Sequence, residues 1–321
     1  MMVPVPGRRR ARPNRVVVLG SLNMDLVVRV DRLPVAGETV MGQHFLTASG
    51  GKGANQAVAA ARLGAKVAML GCVGLDDHGR RLLQSAREAG VNVRRVRRLT
   101  TPSGVALIVV ERRGQNIIAV ASGANGCVTP DSVSADADLI ARSDLLVAQL
   151  ETPLEAISTA AAIARGAGVP FLLNAAPARA DLGGLLSRVT LLVVNETELA
   201  VLAGVPVPNG QEGAVATRLL SRGPEAVVVT LGARGSLLID SRGVRSIPSF
   251  PVEAVDATAA GDAFVGALAS HYRGMESLEE AARYASAAGA CACTRPGAQP
   301  SLPGPEEVAR MLARWVVGGE S

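Results

Sequence analysis

A chain of 321 residues is long enough for one large α/β domain, and 48% hydrophobic with 19% charged residues excludes a disordered polymer. Aromatic residues make up only 2%, which leaves few platforms for stacking single-stranded nucleic acid, and no apolar run reaches the roughly 18 residues of a membrane span. The net charge of +5 comes from the start of the chain: without Arg8, Arg9, Arg10, Arg12 and Arg15, the 33 basic residues fall to 28, equal to the 28 acidic ones.

That Pro/Arg-rich start lacks an apolar core, so it is not a secretory signal; residues 1–14 read as a disordered basic tail, and neither nucleic acid nor a membrane is an expected partner. Cys72, Cys127, Cys291 and Cys293 lack zinc or redox spacing and read as buried thiols of a reducing cytoplasm. From Arg15 onward, apolar β-branched runs at Val16–Leu19, Val67–Leu70, Leu145–Val147, Phe171–Leu173, Leu191–Val194 and Val227–Thr230 alternate with helical patterns at Ala54–Leu63, Gly79–Ala89, Leu154–Arg165, Thr197–Leu202 and Val215–Ser221. This predicts an α/β fold, a three-layer α/β/α sandwich over residues 15–321. Its mostly parallel central sheet is covered on both faces, with ligands at the carboxyl ends of the strands. Two stretches break the alternation. Leu26–Val30 with Glu38–His44, and Gly104–Glu111 with Asn116–Ala121, read as hairpins around Leu33–Gly37 and Arg113-Gly114. They predict a small projecting sheet, with lid strands from about 23–45 and 100–122, whose free edges call for a partner chain.

The most chemically informative segment is Val255–Phe264, where a loop of small residues runs into an apolar helical pattern. Free backbone N–H groups and the positive helix end gather there beside Asp262, which suits phosphoryl transfer to an alcohol: donors for the moving anion and a carboxylate for the hydroxyl proton. Asp262 alone reads equally well as a helix-start acid. Gly50–Asn55 is no Walker A loop, since Gly53 follows Lys52, and Gly20-Ser21-Leu22-Asn23 is no dinucleotide fingerprint. Lys52 and Asn55 instead suit the hydroxyls of a neutral polyol, as do Asn23 and Asp25 after the first strand and Glu151 after a later one.

Eight ordered words carry a resemblance that runs from about Val16 to Pro303. They are Gly20-Ser21-Leu22-Asn23-Met24-Asp25, Gly50-Gly51-Lys52-Gly53-Ala54-Asn55-Gln56-Ala57, Gln149-Leu150-Glu151, Asn174-Ala175-Ala176-Pro177-Ala178, Asn195-Glu196-Thr197-Glu198, Thr230-Leu231-Gly232, Ala259-Ala260-Gly261-Asp262 and Gly297-Ala298-Gln299-Pro300-Ser301. In these the chain resembles the PfkB family of carbohydrate kinases. The resemblance implies ATP-dependent phosphorylation of D-ribose at its 5-hydroxyl. Asn23, Asp25, Gly51, Lys52, Asn55 and Glu151 would hold the sugar, Asp262 would take the proton, and the Ala260 and Gly261 amides would steady the phosphoryl group.

The resemblance further implies that Thr230, Gly232 and Gly235 line the ATP channel, with Gly261 at the phosphates and Ser286 near the adenine. Asn195 and Glu198 would order hydrated Mg2+, and their spacing also fits a helix cap, a compatible role. A K+ site is implied at Asp256, the carbonyls of Thr258, Ala292, Arg295 and Gly297, and the Ser301 hydroxyl, and a homodimer through the lid sheets. Two positions depart from the family pattern: Ala257 replaces the usual Thr, and Pro296 follows Arg295. Alternative readings are a family kinase for another pentose, deoxyribose or a nucleoside, and a sugar-binding regulatory protein.

Overall fold

The computed structural model describes residues 12–112 and 114–318. In chain order the elements are β1 (Arg15–Leu19), β2 (Asn23–Val30), β3 (His44–Gly50), α1 (Lys52–Arg62), β4 (Lys66–Gly74), α2 (Asp77–Glu88), β5 (Asn92–Leu99), β6 (Gly104–Glu111), β7 (Asn116–Ala121), α3 (Pro130–Ser134), α4 (Ala137–Ala141), β8 (Leu145–Ala148) and α5 (Leu154–Gly166). There follow β9 (Phe171–Asn174), β10 (Leu191–Asn195), α6 (Glu196–Ala203), α7 (Glu212–Leu220), β11 (Ala226–Thr230), β12 (Ser236–Asp240), β13 (Gly243–Ile247), α8 (Ala260–His271), α9 (Leu278–Ala292) and α10 (Pro305–Gly318).

Nine strands form the central sheet in the order β13-β12-β11-β10-β9-β8-β1-β4-β5; it is parallel from β11 to β5 and ends in an antiparallel β12–β13 hairpin. The period-2 alternation of the strand residues explains the three layers. Val16, Val18, Leu145, Val147, Leu191 and Val193 pack into the core under α1, α8 and α9, while Val17, Leu19, Leu146, Leu192 and Val194 pack into the core under α5, α6 and α7. Because both faces are buried, these strands are apolar throughout. The chain runs from β1 outward to β4 and β5, then returns to place β8 on the other side of β1. The carboxyl ends of β1 and β8 therefore flank the point where strand order reverses, the ligand crevice of an open α/β sheet.

The second sheet, ordered β3-β2-β6-β7, projects from this point, since β2 begins four residues after β1 ends. It pairs β2 with β6 in parallel, and β2–β3 and β6–β7 antiparallel. The expected strand at Glu38–His44 is corrected to His44–Gly50, so the first lid span reaches residue 50 and not 45. Glu38 is used to close a turn, its carboxylate accepting the Val35 N–H and pairing with Arg32, so the chain there is an exposed loop. Register explains where the strand does form: Gly50 lies opposite Asn23, and a Cβ at Gly50 would collide with the Asp25 carboxylate. Residues that share a face follow from the pairing. Phe45, Leu107 and Ile117 lie exposed on the face away from Asp25, and Leu46, Ile118 and Val120 on the same face as Asp25.

The end of the expected tail also needs correction. Residues 1–11 lie outside the described residues, but Arg12 pairs with Asp144 at 2.7 Å and Asn14 is only 5% exposed. The Asn14 amide donates to the carbonyls of Ala269 (3.0 Å) and Tyr272 (2.6 Å) where α8 ends, and the Arg273 guanidinium also donates to the Tyr272 carbonyl (3.0 Å). Replacing Asn14 with Ala takes the side-chain donor from the Ala269 carbonyl and leaves the Tyr272 carbonyl with Arg273 alone. We expect Asn14→Ala to lower stability by about 1–3 kcal/mol, read as a drop in Tm of several degrees; an unchanged Tm would mean that this cap is not structural.

Candidate active site

The two helices that reach the crevice differ in how their first turns are satisfied. At α1 the open N–H groups are filled by protein: Lys52 N donates to Glu151 Oε2 (3.2 Å), Gly53 N to Ser21 Oγ (3.3 Å) and Ala54 N to the Ser21 carbonyl (2.9 Å). Ser21 Oγ in turn donates to Glu151 Oε2 at 2.5 Å, which bridges the segments after β1 and β8 across the reversal point. Gly53 is required here, because a Cβ would lie 2.5 Å from Ser21 N. At α8 no side chain caps the helix among the described residues. Its N-cap, Ala259, has φ 59°, a left-handed conformation that costs a non-glycine residue about 1–2 kcal/mol.

The three expected and neighbouring amides of this turn differ in their partners. The Ala260 N–H donates to the Ala257 carbonyl at 3.2 Å and is already used, whereas the Gly261 and Asp262 N–H groups make no backbone bond among the described residues. The open anion donors are thus Gly261 and Asp262. Ala257, where a Thr hydroxyl was expected, contributes to the turn through its backbone, so the missing side chain does not undo it.

Asp262 lies in this first turn, 8% exposed. Its Oδ2 accepts from Asn55 Nδ2 and its Oδ1 from Gln56 Nε2, each at 2.9 Å, and both donors come from α1. Asn55 Oδ1 is buried with no partner among the described residues, an acceptor open to a ligand hydroxyl. Asn23, also buried, is held by Asn125, whose Nδ2 donates to Asn23 Oδ1 at 2.7 Å and whose Oδ1 accepts the Leu22 N–H at 2.9 Å. Asn125 went unnoticed at the level of sequence, as did Gln56, Gln149 and Asn174. The last three stand inside the quoted words, and a Gln in the Ala-rich face of α1 was the available signal.

The charges in the crevice are coupled. Burial, with the neighbouring carboxylates of Glu151 and Asp262, pushes the Asp25 carboxyl up to about 7. Burial alone would lower the Lys52 ammonium, but Asp262, Glu151 and Glu198 outweigh it and raise it. Glu198 is raised by burial against the opposing effects of the Asn195 N–H and Lys52.

Asn195 and Glu198 form a reciprocal capping box: Glu198 N donates to Asn195 Oδ1 and Asn195 N to Glu198 Oε2, both at 2.8 Å. Asn195 pairs in register with Thr230 on the adjacent β11. The loop that follows is closed by Leu231 N on the Gly235 carbonyl (2.8 Å), and a Cβ on Gly235, at φ 86°, would meet the Ile247 carbonyl at 2.3 Å. Gly232, at φ 57°, has open space around it, and Ser286 faces Ser236 beyond this loop, Oγ to Oγ 3.5 Å. Asp256 ties the loop before α8 to the loop after α9 by accepting Thr258 N and Gly297 N, each at 2.8 Å; these bonds hold it below its ordinary value although burial opposes them. Pro296 removes a donor one position before the one Asp256 uses. The Arg295 guanidinium takes the Ser301 carbonyl at 3.0 Å, and the buried Ser301 hydroxyl donates to the Ala298 carbonyl at 2.8 Å, which leaves its lone pairs free.

A proton acceptor beside open anion donors, in a crevice lined by hydroxyl-binding amides and acids, is the arrangement of a group-transfer enzyme acting on a polyhydroxylated substrate. Comparison with known proteins agrees. The model of the pfkB family carbohydrate kinases matches residues 13–305. A ribokinase of Haemophilus influenzae is 40% identical over 299 residues, covering 92% of this chain and 98% of its own, and one of Schizosaccharomyces pombe is 42% identical over 305 residues, covering 91% and 96%. The structure of Arabidopsis thaliana ribokinase complexed with ribose and ATP superimposes with a TM-score of 0.86 at 32% identity, covering 94% of this chain and 99% of that one. The chain belongs to the pfkB family of carbohydrate kinases.

The shift of Asp25 has a stability consequence. Its carboxyl binds a proton more tightly folded than unfolded, so that contribution is complete below the ordinary value of 3.8 and is lost as pH rises to about 7. In sugar-free protein, Asp25→Asn should remove this decline and melt a few degrees above the parent at pH 8, with little difference at pH 4.5. Parallel Tm curves for the two proteins would refute the assignment.

Proposed function

We propose that this protein transfers the γ-phosphoryl group of ATP to the 5-hydroxyl of D-ribose, giving ribose 5-phosphate and ADP. The observation that carries this is the buried Asp262 carboxylate, held by two amides of α1 at the open end of α8. Asp262 accepts the hydroxyl proton, and the Gly261 and Asp262 N–H groups, with the helix end, offset the charge on the phosphoryl group in transit. Ala260 shapes this turn. Asn23, Asp25, Gly51, Lys52, Asn55 and Glu151 hold the sugar. Asp25 serves in its ionised form, because ribose hydroxyls donating to it favour the charge that burial disfavours. The ATP phosphates run along Asn195, Thr230, Gly232, Gly235 and Gly261, with the adenine toward Ser286.

Mg2+ bound with ATP screens the phosphate charge. The fit is supported by the exposed Asn195 at the mouth of the crevice and by Glu198, whose second carboxylate oxygen is not used by the cap. A K+ site at Asp256, Thr258, Ala292, Arg295, Gly297 and Ser301 is supported by an all-oxygen donor set with one carboxylate, at loops already tied together. Its role is to hold the loop that leads into Ala259. The four free thiols and the lack of any helix, among the described residues, that is long and apolar enough to cross a membrane are consistent with a cytoplasmic enzyme. The lid sheet exposes apolar side chains on both faces, one over the sugar and one for a second copy of the chain, which supports a homodimer.

Three measurements test this reading. Asp262→Asn should lower kcat with ribose by about 10³-fold or more, in an assay that requires Mg2+ and runs faster in K+ than in Na+; undiminished turnover would remove Asp262 as the base. A panel of ribose, deoxyribose, other pentoses and adenosine separates the sugar specificities. For the dimer, Phe45→Asp with Leu107→Asp should convert the particle to monomer mass in light scattering, and an unchanged mass would place the interface elsewhere.

A further inference from the structure

Beneath Asp262 lies a chain of buried amides that serves no ligand. Gln56 is 1% and Gln149 0% exposed. Gln56 Nε2 has two protons and two acceptors, Asp262 Oδ1 and Asn174 Oδ1, each at 2.9 Å. Gln56 Oε1 accepts from Gln149 Nε2 at 2.6 Å, and Asn174 is itself oriented by donating to the Val193 carbonyl at 3.2 Å. Every partner of Gln56 therefore demands the same orientation of its amide. A flipped Gln56 would turn its oxygen onto a carboxylate oxygen and its nitrogen onto another amine. Keeping this orientation has a cost: Gln149 Oε1 is buried with no partner among the described residues.

We propose that Gln56, locked by Gln149 and Asn174, is a positioning residue that fixes the Asp262 carboxylate for proton abstraction. The inference rests on Asp262 being the base and adds what holds it. Two donors on opposite oxygens leave the carboxylate no freedom to rotate: Asn55 lies on the ligand side and Gln56 on the buried side. Asn55 carries an open acceptor toward the sugar, whereas all of Gln56's bonds lie within the protein, so the two should differ kinetically. Loss of Asn55 affects binding and turnover together. Loss of Gln56 affects the transition state through Asp262 alone.

The test uses the full chain with ribose, Mg-ATP and K+. Gln56→Met, which keeps the length and packing of the side chain, should lower kcat by about 10- to 100-fold with both KM values within about threefold of the parent. Gln149→Met, which leaves Gln56 in place but removes the donor to its Oε1, should lower kcat by a smaller factor of about 3- to 10-fold, and should add nothing in the Gln56→Met background. Gln149→Met carries the test if Gln56→Met melts too low to assay. In the Asp262→Asn background, Gln56→Met should not change the residual rate. Unchanged kcat in both single variants, additive losses in the double variant, or a rise in KM at constant kcat would each overturn the proposal. An inactive Asp262→Asn with a fully active Gln56→Met would overturn the positioning role alone, while an active Asp262→Asn would remove the base and this proposal with it.

Discussion

The site depends on one close contact, the packing of α1 against α8. Gly266 makes it possible: a Cβ there would lie 2.4 Å from the Ala59 Cβ and 2.7 Å from the Gln56 carbonyl. Asp262 stands one helical turn before Gly266 on the same face, so the contact that removes a side chain at one level brings a carboxylate onto Asn55 and Gln56 at the next. Helices at an ordinary spacing would hold the acid and amides apart. Small residues along both helices, Ala57, Ala60, Ala263 and Ala267 among them, carry no chemistry but set the distance over which the chemistry works.

The same contact concentrates negative charge. Glu151, Glu198 and Asp262 act on the Lys52 ammonium, and Asp25 feels Glu151 and Asp262; burial, with these neighbouring acids, raises the Asp25 and Glu198 carboxyls in the sugar-free protein. Three of these acids have a separate local support. Glu151 sits on the first turn of α1, Glu198 closes a capping box, and Asp262 is held between amides. Asp25 has no such hydrogen bond among the described residues, which leaves burial unopposed there and explains why a ligand rich in hydroxyls would relieve it.

Local pattern revealed the layers and many of the site side chains, because both are written in single segments. Val16–Leu19 and Leu191–Val194 are apolar at every position, and that alone places helices on two faces. The edge strand β5 escaped because Arg94, Arg95, Arg97 and Arg98 interrupt its apolar pattern, and β12 and β13 because their role is set by the loop at Gly235. Thr39 and Val40 imitated a strand that register places from residue 44 onward. Asn125 and the Gln149–Gln56 pair were illegible for another reason: their function lies in which groups they meet, over separations of 102 and 93 residues, and no spacing encodes that.

A contrast between two helix starts then explains why substrate and phosphoryl group meet where they do. α1 begins one glycine after β3 and α8 after a loop of small residues, and both point their N-termini into the crevice at the reversal of strand order. At α1, Glu151 and Ser21 occupy the donors, which turns that helix end into a rigid holder for Lys52 and Asn55. At α8, the left-handed Ala259 turns the chain so that one amide is consumed by Ala257 and the next two are left open. The strain at Ala259 is tolerated because Asp256 fastens the preceding loop to Gly297, and Ala263 N returns to the Ala259 carbonyl at 2.8 Å. An anion is thereby directed to α8 and not to α1, within reach of the Asp262 carboxylate that two amides hold in place.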